Sequence, residues 1–133
     1  MSVVASYPML VLHLHQGARI ALETEWLGYV SSADFRRYVI EAVALARQHH
    51  ATAWIANDQL LGAVRPKDLA WVGEEVLPAL VELGVARFAR LEAEQTLNRM
   101  LIGTLYQKST PELPMQTCTF TDALQARAWA IEE

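Results

Sequence analysis

The sequence is poor in cysteine, glycine and positive charge, and each shortage excludes a class of protein. The single cysteine, Cys118, cannot form an internal disulfide, which excludes a disulfide-stabilised secreted fold. Eleven Lys and Arg stand against 15 Asp and Glu with no basic run, so the charge pattern of a nucleic-acid-binding protein is missing. The six glycines form no phosphate-binding or dinucleotide-binding loop. No apolar run approaches the roughly 18 residues of a membrane span, so we expect none.

What remains is typical of one globular domain over residues 1–133. The chain is 53% apolar and 20% charged, and at this length its core needs no disulfide or structural metal. The apolar segment 3–14 lacks a preceding positive charge and contains Pro8, so we interpret it as a strand and not as a targeting signal. We therefore expect a cytoplasmic protein.

Two alternating segments near the N-terminus predict a β-hairpin. In the first, Leu10, Leu12 and Leu14 share one face, and Val11, His13 and His15 share the other. In the second, Ile20, Leu22, Thr24 and Trp26 oppose Ala21, Glu23 and Glu25. Matching the apolar faces favours His13 opposite Ala21, with Glu23 diagonal to His13.

Helices and short strands alternate through the rest of the chain. Apolar spacing predicts helices over 35–49, from Pro66 with a kink or break at Pro78, over 94–106 and after Thr121, and strands over 52–57, 85–91 and 115–120. Strands that alternate with helices pair in parallel through crossovers. The prediction is an α/β fold with a mixed sheet of about four to five strands, an N-terminal antiparallel hairpin, and helices mainly covering one face.

The polar face of the hairpin suggests that the second face of the sheet is partly open. Trp54 and its neighbour Ile55 point to opposite sides, so one large apolar residue is expected on the less covered face. Because such a residue often marks an interface, we predict an interaction surface at Trp54, His13 and His15, used by a protein partner or by a second copy in a homodimer.

A candidate binding crevice lies at the carboxyl end of the central strand, where open parallel sheets hold their ligands. Asn57 and Asp58 end that strand, Arg65 lies in the loop that follows, and Arg90, Leu91 and Glu92 lie at the end of the next strand. The crevice would suit a small apolar or anionic ligand. The alternative is a structural turn, since Asn and Asp side chains bind neighbouring backbone groups.

Other reactive side chains have simple structural explanations. His13 and His15 with Glu23 could ligate a divalent metal, but ordinary cross-strand contacts explain the same pattern. We expect no metal and no cofactor. Cys118 has no partner at a known spacing and is expected to be a small buried side chain.

The chain resembles the SpoIIAA-like proteins of the STAS-fold group over nearly its whole length. The resemblance is carried by Trp26-Leu27-Gly28, by Trp54-Ile55-Ala56-Asn57-Asp58, by Asp68-Leu69-Ala70-Trp71, and by Phe120 followed by Ala123, Ala126, Ala128 and Trp129.

The resemblance implies binding and not catalysis, because such domains include anti-sigma factor antagonists and transporter-associated regulatory domains. In regulatory members a serine at the start of the helix after the central strand is phosphorylated. Here residues 58–68 contain no Ser or Thr. We therefore expect a non-enzymatic binding or regulatory module without that switch. The alternative is a small-ligand carrier or an enzyme that uses the crevice.

Overall fold

The computed structural model describes residues 2–133 and contains one mixed sheet whose strands lie in chain order. The six strands are β1 (Ser2–Tyr7), β2 (Leu10–Gln16), β3 (Ile20–Trp26), β4 (Ala53–Asn57), β5 (Arg87–Leu91) and β6 (Gln116–Phe120). The first three strands are antiparallel, and β3 to β6 are parallel. The α/β class and the mixed sheet are confirmed.

The sheet has one strand more than expected because the segment 3–14 is two strands and not one. Pro8 and Met9 form a turn between β1 and β2. Proline supplies no backbone donor and so favours the turn over a continuous ladder. The β2–β3 hairpin is present, but His13 faces Glu23 and His15 faces Ala21. The predicted register was wrong by two residues, which preserved the assignment of every side chain to its face.

The helical segments are α1 (Ser32–Gln48), α2 (Pro66–Trp71), a π-helical turn (Val72–Val76), α3 (Leu77–Leu83), α4 (Thr96–Ser109) and α5 (Ala123–Ile131). Ser31 caps α1, and its side chain accepts a hydrogen bond from the Asp34 amide. The cap of α5 is Asp122 and not Thr121. The break expected at Pro78 takes the form of the π turn, in which the Leu77 amide bonds to the Val72 carbonyl.

Most helices lie on one face of the sheet because successive parallel strands are joined by right-handed crossovers in the same direction. Leu12, Leu22, Trp54 and Phe88 project from this first face into the main core, which α1 to α4 cover. The helix α5 follows the last strand and packs on the second face, where Ala126 and Ala130 meet Ala21, Ala53, Ile55 and Ala89. Among residues 2–133, no helix has the length and apolar character that crossing a membrane requires.

The second face is less open than the hairpin pattern suggested. His13 and His15 are only 8% and 5% exposed, because α5 packs beside the hairpin. Trp54 is 4% exposed and belongs to the main core on the first face. The expected surface at Trp54, His13 and His15 is therefore wrong as an exposed patch. The homodimer stays a prediction, now without that patch to support it.

Small residues allow α5 to lie close to the sheet. Gly17, in the β2–β3 loop, faces the end of this helix, and the Arg19 amide bonds to the Ile131 carbonyl at 3.1 Å. A Cβ atom at Gly17 would lie 3.0 Å from both the Cδ1 atom and the backbone oxygen of Ile131. The loop therefore needs glycine for close approach.

Replacing Gly17 by alanine should lower the free energy of unfolding by about 1 kcal/mol, because the new methyl group pushes against Ile131. The matched control is Gly103→Ala within α4, where an added Cβ meets no atom of residues 2–133 within 4 Å. That control should stabilise the protein by about 1 kcal/mol. Urea denaturation measures the free energy of unfolding of both variants. Equal shifts of the same sign would refute the close approach of Gly17 to Ile131.

Candidate functional site

Two buried carboxyl groups lie on opposite faces of the sheet near the carboxyl end of β4. The consecutive residues Asn57 and Asp58 were expected to share one crevice, but the alternation of the strand separates them. Asn57 reaches Glu23 on the second face, whereas Asp58 lines a cavity on the first face. The two carboxyl groups, Glu23 and Asp58, have opposite surroundings and consequently opposite chemistry.

Glu23 is fully buried, and every direction of its carboxylate has a donor. Its Oε1 atom accepts from His15 Nε2 at 2.7 Å and from Arg127 Nε at 2.7 Å. Its Oε2 atom accepts from Asn57 Nδ2 at 3.0 Å and from Arg127 Nη2 at 2.9 Å. Because a carboxylate offers about four lone pairs, the group is saturated. It joins β2, β3, β4 and α5.

The donors around Glu23 keep it ionised. Burial alone would raise the pKa of Glu23, but hydrogen bonds from His15, Arg127 and Asn57 hold it well below its usual value, at about 2. The contribution of this carboxylate to stability is therefore complete above its usual pKa of 4.5 and is lost as the pH falls towards 2.

The other histidine of β2, His13, also contacts a carboxylate. His13 Nε2 lies 2.7 Å from Glu25 Oε1, and one ligand atom each from His13, Glu23 and Glu25 lie within 4.8 Å of one another. A metal ion at these atoms would have to displace a donor from the saturated Glu23 carboxylate, and the Arg127 guanidinium already supplies the positive charge there. The geometry thus favours an ion-pair network at this position, and the expectation of no metal stays a prediction.

Asp58 is the acidic residue of a largely apolar cavity of about 50 Å³ between the sheet and its covering helices. The residue is 7% exposed, no side-chain donor of residues 2–133 bonds to its carboxyl group, and the carboxyl oxygens keep some accessible surface. The cavity walls are largely aromatic and aliphatic, and they include Trp26, Phe35, Trp54, Leu77, Phe88 and Tyr106. A buried, unpartnered carboxyl group is costly unless it is protonated or meets a ligand.

Burial raises the pKa of Asp58 to about 7, and the positive charge of Arg90 only partly opposes that rise. Burial and the Asp58 charge also raise the pKa of Tyr106, whose hydroxyl group therefore stays protonated. The Arg90 guanidinium carbon lies 4.3 Å from the centre of the Tyr106 ring. Asp58 and Tyr106 thus line the cavity together, and Arg90 lies over the Tyr106 ring without lining it.

The other two predicted crevice residues lie elsewhere. Arg65 is exposed and borders a small hollow with Tyr29, Ser32 and Asp68, and it does not line the Asp58 cavity. Glu92 is exposed and does not line the cavity. The expected crevice of Asn57, Asp58, Arg65 and Glu92 is therefore not assembled, because the loop after β4 carries Arg65 to the start of α2. Cys118 is half-buried on β6.

Two important residues escaped the sequence analysis. Arg127 lies 104 positions from Glu23, and Tyr106 belongs to α4. One signal was available for Arg127: a Glu at an inward position of a strand requires a cation, and Arg127 is the Arg of the last predicted helix. Arg90, which the sequence placed at the end of β5, lies over the Tyr106 ring, and its charge acts on Asp58.

Comparisons with known proteins inform the fold. No protein-family model matches the chain, and no curated protein matches it. Among solved structures, the chain is similar to an uncharacterized protein of the DUF3478 family with a SpoIIAA-like fold from Shewanella loihica PV-4. The similarity covers 98% of each chain at 13% sequence identity, with a TM-score of 0.57.

The chain has a SpoIIAA-like fold. This confirms the fold that the sequence landmarks implied. In this SpoIIAA-like fold, the loop from Asp58 to Arg65 and the first residues of α2 carry no Ser or Thr. The position at which the resemblance implies a phosphorylated serine therefore offers no hydroxyl group.

Replacing Arg127 by methionine should destabilise the protein by about 3 kcal/mol, because Glu23 would stay buried without its cation. The control is Arg47→Met on the exposed side of α1, which should change stability by less than about 0.5 kcal/mol. Chemical denaturation at pH 7 measures both. Equal small effects would show that Glu23 does not depend on Arg127.

Asp58→Asn should remove a pH dependence of stability. Since folding raises the pKa of Asp58 from 3.8 to about 7, the folded state holds a proton that the unfolded state releases, and the free energy of unfolding falls as the pH rises through this window. The loss approaches the order of 4 kcal/mol at pH 8. The uncharged variant should show a flatter profile between about pH 4 and pH 8 by urea denaturation, since its amide does not titrate. An unchanged slope would refute the shift.

Proposed function

We propose that this protein is a non-enzymatic binding module that holds a small, mainly apolar ligand in the cavity beside Asp58. The observation that carries the proposal is the combination of largely apolar walls with the Asp58 carboxyl group, which no side chain of residues 2–133 bonds. Ligand sites in proteins are mostly apolar concavities with a few polar groups that fix orientation. The position also fits, because the cavity lies at the carboxyl ends of parallel strands.

The contrast with Glu23 supports assigning binding to Asp58. Four hydrogen bonds saturate the Glu23 carboxylate, so this group has a structural role in holding the strands and α5 together. Asp58 is 7% exposed, and no side-chain donor of residues 2–133 bonds to its carboxyl group. Its carboxyl oxygens keep some accessible surface, through which a ligand would reach them.

The lining of the cavity favours binding over catalysis. Its titratable side chains are Asp58 and Tyr106, and the Tyr106 phenol is held in its protonated form by burial. Acid–base or nucleophilic catalysis normally requires two groups placed for proton transfer. A regulatory role, exerted when a ligand stabilises one state of the module, is compatible with this proposal.

A cavity-filling variant tests the proposed site. Ala56 lines the cavity from β4, and Ala56→Val adds two methyl groups there. Titration of ¹⁵N-labelled protein with 1-butanol should shift the amide signals of residues around Ala56 and Asp58, and the variant should bind at least tenfold more weakly.

The matched control is Ala86→Val, at an exposed position just before β5, which should bind 1-butanol as the parent protein does. Circular dichroism confirms that each variant is folded. Equal binding by the Ala56→Val variant, or shifts confined to another surface, would overturn the proposed site.

A further inference from the structure

We infer that the free edge of β6 pairs with the same edge of a second copy, so that two sheets join through an antiparallel ladder centred on Cys118. The inference goes beyond the cavity and concerns an interaction surface on another part of the sheet. Three observations carry it: β6 ends the sheet, its outward backbone groups are unpaired, and the strand lacks the features that prevent edges from pairing.

The outward backbone groups of β6 belong to two threonines. Among residues 2–133, β6 pairs with β5 alone, and the Gln116 amide bonds to the carbonyl of Ala86, just before β5, at 2.8 Å. Because backbone direction alternates along a parallel strand, Thr117 and Thr119 direct their N–H and C=O groups away from β5. Both threonines are exposed, and no residue of 2–133 outside the ladder exchanges a backbone hydrogen bond with either.

The edge of β6 lacks the usual protection against pairing. Natural sheets block their edges with charged side chains, proline or β-bulges. The strand Gln116–Phe120 contains no charged residue, proline or glycine, and its register with β5 is regular. The opposite edge of the sheet, β1, is interrupted between Val3 and Ala5. The chain therefore offers one regular edge, and a two-fold contact that uses this edge in both copies closes at a dimer.

The pattern of outward groups matches itself under two-fold symmetry, which favours a second copy over an unrelated strand. In an antiparallel ladder, outward groups must lie opposite outward groups. With Cys118 at the centre, Thr117 of each copy lies opposite Thr119 of the other, and each such pair exchanges both of its backbone hydrogen bonds. The whole strand overlaps in this register. Cross-strand threonine pairs are favourable, and no like charges face each other within the ladder.

Cys118 reports on this register because it lies on the two-fold axis. Its backbone points towards β5, so the two Cys118 residues form a non-hydrogen-bonded pair with Cα atoms roughly 4.5 Å apart. That separation permits a disulfide. The two copies of Thr117 lie diagonally, roughly 8 Å apart. A disulfide does not bridge Cα atoms more than about 7 Å apart.

The first experiment moves the chain's single thiol by one position. Diamide oxidises the reduced protein: each of two thiols loses its hydrogen, the S–S bond forms, and diamide takes up both hydrogens. The parent protein should form the covalent dimer at least tenfold faster than the double variant Cys118→Ser, Thr117→Cys. Non-reducing gel electrophoresis measures the rates, and alkylation by iodoacetamide corrects for the different reactivity of the thiols.

Collisions between freely moving copies predict the opposite order, because Thr117 is exposed and Cys118 is half-buried. An equal or faster rate for the variant after correction would therefore overturn the inference.

The second experiment removes the outward donor. Thr117→Pro deletes an N–H that faces away from β5, a position at which an edge strand tolerates proline. Analytical ultracentrifugation of the reduced proteins should show that the parent forms a dimer and that this variant associates at least tenfold more weakly. The matched control, Thr117→Ala, keeps the backbone N–H and should associate as the parent does. Circular dichroism confirms that each variant is folded.

The outcomes separate this inference from the proposed function. A parent protein that stays monomeric at every concentration would overturn the inference and leave the proposed ligand site standing. A dimer that Thr117→Pro leaves unchanged would place the contact on another surface and would also overturn it. If Thr117→Pro does not fold, the comparison of the two thiol positions decides.

Discussion

The hydrogen-bonded ion pair between Arg127 and Glu23 joins the last helix to the N-terminal hairpin across the second face of the sheet. Both nitrogen contacts of the guanidinium are short, at 2.7 and 2.9 Å, and His15 and Asn57 complete the carboxylate. The α5 helix also meets the sheet through Ala126 and Ala130 and through Trp129, whose ring packs against Phe120 of β6. The ion pair is the polar contact that fixes the position of this helix over the hairpin, beside that apolar packing.

The first face shows the reverse arrangement. Its core is large and aromatic, and it contains Asp58, to whose carboxyl group no side chain of residues 2–133 donates a hydrogen bond. The same physical cost, burial of a carboxyl group, is met by four donors at Glu23 and by uptake of a proton at Asp58. Where the fold itself does not satisfy a polar group, a ligand can. This difference separates the structural carboxylate from the functional candidate.

Much of the fold could be predicted because the signals are local. Alternation assigned Leu12 and His13 to opposite faces, and that assignment survived a register error of two residues. Pro66 marked the start of α2. The errors arose where packing between segments distant in the sequence determines the structure. Trp54 was expected near a surface because the pattern of one strand does not reveal which face receives more helices. The turn at Pro8 was missed because apolar residues flank it on both sides.

The sequence by itself determined the α/β class, the order of the elements from β2 onward and the place of Asp58 and Arg90 at the ends of neighbouring strands, since periodicity and the crossover rule depend on neighbours along the chain. Only the tertiary structure decided that Glu23 meets Arg127, because these residues are 104 positions apart. Electrostatic environment is a property of distances in space, and those distances exist only after the helices have packed on the sheet.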